Sequence, residues 1–95
     1  MCAKVTIKLL LLLQDKIGKS ELSYEADTVG ELIKKFLEDY REELEEIQIL
    51  DENTGQFKEW MLILINGRNI RFLEGMNTIL NEKDVVAISP PMAGG

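Results

Sequence analysis

VTIKLLLLL (Val5–Leu13) and DVVAIS (Asp84–Ser89) lie at opposite ends of a 95-residue chain, and how they are placed decides the fold. In the first, Val5, Ile7, Leu9, Leu11 and Leu13 alternate with Thr6, Lys8, Leu10 and Leu12, the two-residue period of a strand. One face is apolar throughout, and the other becomes apolar from Leu10 onward. The two segments are the most hydrophobic strands of the chain, which suits central positions in a sheet. A tight hairpin cannot join segments so far apart. They are therefore expected to form a central parallel pair, whose crossover needs a helix packed on one face.

The sequence between them supplies that helix. Gly18-Lys19 marks a turn, and Ser20 to Ala26 reads as a second strand with Leu22 and Tyr24 as its larger apolar residues. Thr28 followed by Glu31 forms a capping box, and Val29, Leu32, Ile33, Phe36, Leu37 and Tyr40 recur at helical spacing after it. The stripe continues weakly through Leu44 and Ile47, so the helix either runs on or breaks into a second one. Asp51 to Glu59 reads as an exposed connection and Trp60 to Ile65 as an apolar strand. Asn66-Gly67 is a hairpin turn leading into Arg68 to Arg71. The order is strand, strand, helix, strand, short strand, strand. One helix cannot cover both faces of such a sheet, so one face must stay partly open.

Composition narrows the function. Apolar residues make up 45% and charged residues 29%, as expected of one globular domain. Seventeen acids against eleven bases give a net charge of −6, which argues against nucleic acid as a partner. Between Glu38 and Glu52 lie eight acids and a single base, Arg41, read as a solvated helix face and loop. The chain has no histidine and one cysteine, Cys2, so an internal disulfide, a cysteine-cluster metal site and histidine acid–base chemistry are excluded. Cys2 has no histidine to activate it and is read as incidental. The leucine run is far shorter than the roughly 20 residues that span a bilayer. No membrane segment or leader is expected, and the chain is expected to be cytoplasmic.

The final six residues are PPMAGG, Pro90 to Gly95. Together with ILINGRNI (Ile63–Ile70), Leu80 and EKDVVAI (Glu82–Ile88), they resemble the MoaD family, the small subunit of molybdopterin synthase. KIG (Lys16–Gly18) and TVGEL (Thr28–Leu32) fall where that family has its first turn and helix start. The related ThiS carriers share the Gly-Gly end but are typically shorter and do not usually show the double proline. The extended acidic segment from Arg41 to Glu59 looks more like archaeal members of the group.

The resemblance implies an α+β fold of the β-grasp, or ubiquitin-like, type. It would have a mixed sheet of four to five strands with one main helix across one face, residues 1–89 forming the domain and 90–95 a flexible tail. It also implies a sulfur carrier rather than an enzyme. An E1-like adenylating partner would activate the Gly95 carboxylate with ATP and convert it to a thiocarboxylate. The large subunit of molybdopterin synthase would then receive the tail, and the chain would bind no cofactor or metal itself. Gly94, Ala93, Met92, Pro91 and Pro90 would thread a narrow channel. Glycines lack a Cβ to block it, and the prolines favour an extended stem reaching roughly 15–20 Å.

On this reading Leu9, Leu11 and Leu13 face the core against Phe36 and Leu37. Leu10 and Leu12 lie on the opposite face and join Pro90, Pro91 and Met92 in a partner-docking patch. Two other readings use the same fold. A ubiquitin-like modifier would join Gly95 to a partner lysine, and a plain interaction module would not need the tail. Thiamine or a thiolated tRNA base are alternative sulfur acceptors.

Overall fold

A computed structural model describes residues 3–90; Met1, Cys2 and residues 91–95 lie outside the described residues. Five strands form one mixed sheet. They are β1 (Ala3–Leu9), β2 (Glu21–Ala26), β3 (Leu62–Ile65), β4 (Arg68–Asn69) and β5 (Val85–Ser89), in the spatial order β2-β1-β5-β3-β4. The expected central parallel pair is present: β1 runs parallel to β5, with Ile7 opposite Val86 and Leu9 opposite Ile88. β2 and β3 flank that pair antiparallel. A short helix α1 (Leu12–Ile17) follows β1, and the main helix α2 (Val29–Glu46) follows β2.

Local chemistry explains the boundaries. The Thr28 side chain accepts a hydrogen bond from the Glu31 backbone N–H, and Glu31 accepts one from the Asp27 N–H, a reciprocal cap that starts α2. α2 does run on through the acidic stretch, bending where Tyr40 leaves helical geometry (φ −127°, ψ 24°). Beyond the bend, Leu44 is again fully buried. Asn66 and Gly67 both have positive φ, as a tight two-residue hairpin requires, and Asn66 also bonds Asp84 and the Val85 N–H.

The core fills the space between α2 and one sheet face. Phe36, at no measurable exposure, sits 5.5 Å from Tyr40 and 6.3 Å from Phe57, ring centre to ring centre. The segment from Asp51 to Glu59 is therefore less detached than expected. Leu50 bridges Phe57 across it, and Phe57 stacks on the helix residue that anchors the core.

Other boundaries shift by a residue or more. β2 begins at Glu21, not Ser20. β3 begins at Leu62, because Lys58 to Met61 close a turn (Met61 N–H to Lys58 O, 3.0 Å) and leave Trp60 half exposed. β4 keeps only Arg68 and Asn69, since the Asn69 side chain caps a helical turn over Ile70–Phe72.

Tyr24 tests the α2–sheet packing. Its hydroxyl donates to an Asp39 carboxylate oxygen at 2.8 Å. Burial first, then that hydrogen bond and the carboxylate's charge, push the phenol well above its ordinary value. A group with a raised folded value holds its proton better in the folded state, so its contribution is complete below about pH 10 and is lost as pH rises above it. Tyr24→Phe is expected to flatten the loss of stability between neutral pH and pH 11, measured by urea denaturation at each pH. An unchanged pH profile would show that the bond carries no stability.

Candidate functional site

The site is the end of the sheet where β5 finishes. Pro90, half-buried, follows β5 directly. The strand is held to its last residue: Ser89 pairs with Leu62 of β3, and the Ile88 carbonyl accepts from the Leu10 N–H at 3.3 Å. Pro90 thus follows the central strand of the sheet, the position with the most lateral support. Pro91, Met92, Ala93, Gly94 and Gly95, also expected at this site, lie outside the described residues.

The leucine run departs from the expected alternation. β1 ends at Leu9 and does not continue to Leu13. Extending the parallel register past Leu9 opposite Ile88 would set Leu11 against Pro90, which has no N–H to donate to a ladder. On the other side, pairing with β2 stops at Lys8 opposite Glu21. With no partner on either side, the chain turns. The Leu13 N–H bonds the Leu10 carbonyl at 3.2 Å, and Leu13 enters the core from α1 instead of from a strand. Leu11 is therefore not a core residue. It is 49% exposed, next to Leu12 at 45%, while Leu10 is half-buried beside β5. Leu10 and Leu12 do not share a sheet face, because Leu12 belongs to α1.

Leu11 adopts φ 54°, ψ −126°, a turn geometry that glycine tolerates and leucine does not. Such strain costs about 1–3 kcal/mol. Leu11→Gly is accordingly expected to hold stability constant or raise it by up to about 1 kcal/mol, after allowing for glycine's greater entropy loss and the side chain's partial burial. A core leucine truncated in the same way would lose at least about 2–5 kcal/mol. Chemical denaturation distinguishes the two.

The open sheet face splits into two halves. Toward β2, Lys4 stands opposite Glu25 and Lys8 opposite Glu21, so that half is charged. Toward β3 the same face carries Val85, Ala87, Leu62 and Leu64, with Leu64 opposite Ala87 and Leu62 opposite Ser89. Leu62 and Leu64 were not singled out in the sequence. Their signal was the unbroken apolar run of β3, which marks a strand apolar on both faces. With Leu10, Leu11 and Leu12 these side chains bring an apolar surface up to Pro90. The acidic run lies apart from it. A polar cleft between the end of α2 and the Asp51–Lys58 turn is lined by Glu45, Asp51, Glu52 and Lys58. Among the described residues, no group of three or more metal-ligating side chains comes together, and no helix is long and apolar enough to cross a membrane.

A sheet in this order, crossed by one main helix and ending in its central strand, is a ubiquitin-like β-grasp. The ThiS family profile matches residues 7–95, and the chain belongs to that family. A relative from Archaeoglobus fulgidus, named "Putative sulfur carrier protein", is 36% identical over 78 residues, covering 82% of this chain and 85% of its own. Small archaeal modifier protein 3 of Haloferax volcanii is 32% identical over 85 residues, covering 86% and 88%. The solution structure of small archaeal modifier protein 1 from Methanosarcina acetivorans superposes with a TM-score of 0.84 at 31% identity, over 100% of this chain and 99% of that one.

Proposed function

We propose that this protein is a sulfur carrier whose working group is the backbone carboxylate of Gly95. The observation that carries the reading is that the family match runs through residue 95 behind a strand held at the centre of the sheet. An E1-like enzyme would add AMP from ATP to that carboxylate, releasing pyrophosphate. A sulfur nucleophile would then displace AMP and leave a thiocarboxylate. Catalytic side chains would belong to the partners, which fits a chain without histidine. The sulfur would go to molybdopterin, with this chain acting as small subunit of the synthase and its Pro90–Gly95 segment inserted into the large subunit.

A second reading has support of its own. Two relatives at 32% and 31% identity are named small archaeal modifier proteins. In that role a lysine amine, not sulfur, would capture the activated Gly95 and form an isopeptide bond. Both readings share the adenylation step and diverge after it.

Intact-protein mass spectrometry after incubation with ATP, an adenylating partner and a sulfur source tests the first. The expected product has one carboxyl oxygen of Gly95 replaced by sulfur. Sulfur on Cys2 with an unchanged terminus would falsify it. Covalent adducts through partner lysines in cells, without a stable complex with a synthase large subunit, would favour the modifier.

Docking is expected to use the apolar surface beside Pro90. Leu12→Lys changes a half-exposed residue and should alter stability by no more than about 0.5 kcal/mol. If it sits at the centre of the contact, binding to the activating enzyme should weaken about 30-fold, the equivalent of roughly 2 kcal/mol. Calorimetric titration with unchanged affinity would move the docking surface elsewhere.

A further inference from the structure

Ser89 is the one polar residue buried among the described residues, 6% exposed at the end of β5. It shares the open sheet face with Ala87 and stands opposite Leu62, so its surroundings are apolar. A buried hydroxyl needs a partner. Ser89 finds one in the next residue: its Oγ donates to the carbonyl oxygen of Pro90 at 2.8 Å.

That bond acts on a residue with little freedom left. The ring of Pro90 fixes its φ near −65°, and a proline at position 91 confines the preceding ψ to the extended region. The orientation of the Pro90 carbonyl is set by that same ψ, so a hydroxyl that holds the carbonyl narrows it further. Both soft torsions of the first residue beyond the sheet are thereby restrained. The anchor is itself fixed, because Ser89 is paired to Leu62 and the preceding carbonyl is bonded by Leu10.

We propose that Ser89 is a positioning residue that fixes the orientation of Pro90, the first residue beyond the sheet. Resting on the carrier reading, this means that the Gly95 carboxylate is presented with part of its ordering already done before a partner binds. Ser89 touches no reacting atom. It acts through Pro90.

The test uses the full-length protein and its Ser89→Ala and Ser89→Thr variants in two measurements. On the isolated protein, the carbonyl carbon resonance of Pro90 should move upfield in the alanine variant as the hydrogen bond is lost. It should return in the threonine variant, which keeps the hydroxyl, and residual dipolar couplings at residues 90–92 should fall only in alanine. In ATP–pyrophosphate exchange with the adenylating enzyme, Ser89→Ala should raise KM for the carrier about three- to tenfold, the effect of one freed torsion, with kcat within about twofold. Threonine should restore KM. A Pro90 resonance and couplings unchanged in alanine would overturn the proposal, as would an unchanged KM. Should the parent itself support no exchange, the carrier reading fails, and the resonance and couplings still decide whether Ser89 orients Pro90.

Discussion

Phe36→Ala is expected to cost about 3–5 kcal/mol of folding stability, the range for removing a buried aromatic ring. For a domain of this size each kcal/mol moves Tm by about 4–8 °C, so a fall on the order of 20 °C should appear in a circular-dichroism melt. Such a loss is a large share of the 5–15 kcal/mol typical of a small domain. The size of the effect follows from where the ring sits. Phe36 is sealed from solvent on the inner side of α2 and meets Tyr40 on its own helix and Phe57 from the connection before β3. Its removal leaves a cavity between α2 and that connection, which are each pinned elsewhere and so collapse poorly into it. Phe57, half-buried at the rim, should cost less alone, and the double variant should cost less than the sum because the rings share one contact. A Phe36→Ala loss below about 1.5 kcal/mol would mean that the helix does not close this core.

What the sequence discloses and what it conceals divide along a physical line. The central β1–β5 pair, the cap at Thr28 and the turn at Asn66-Gly67 are legible because each rests on a local pattern: alternation, a three-residue spacing, a residue pair tolerant of positive φ. Leu11 is misread because alternation says nothing of where a strand's neighbours stop. Five consecutive leucines satisfy the strand period and the helix period alike, and the decision falls to Pro90, which offers no N–H nearly eighty residues away. The burial of Phe57 is hidden for a similar reason, since its partner Phe36 belongs to another element. Gly30 has no signal of its own either. A Cβ there would lie 3.1 Å from the Met76 carbonyl oxygen, so the position is small to let the turn Gly75–Asn77 approach α2. At the candidate site, the sequence singles out Pro90, Leu10 and Leu12, and the fold places Leu10 beside the end of β5 that leads into Pro90. The sequence misses Leu11, Leu62 and Leu64 because their exposure depends on which strand lies beside which.

Gly94→Val tests the proposal that Gly95 is the working end of the chain. The buried core runs from Val5 to Ile88, so a change at position 94 should shift stability by no more than about 0.5 kcal/mol. Activation should nonetheless fall by about two orders of magnitude or more, in line with what misplacing a reacting group by about 1 Å costs. Two physical reasons combine. On the proposed function the tail enters a channel shaped around glycine, which would have no room for a branched Cβ, and valine is barred from the positive φ that glycine takes up freely. One residue appended after Gly95 should do equal damage by a different route, because it carries the carboxylate past the α-phosphate of the bound ATP. Valine at position 94 probes the width of the path, whereas the extension probes its length. Both variants should therefore melt with the parent and fail in partner-dependent pyrophosphate exchange at equal concentration. If only the valine variant fails, the path is narrow but the reacting carboxylate is not held in register at Gly95. If both exchange as well as the parent, the terminus is not the reacting group. The apolar face beside Pro90 would then have to account for the protein's activity as a binding module alone.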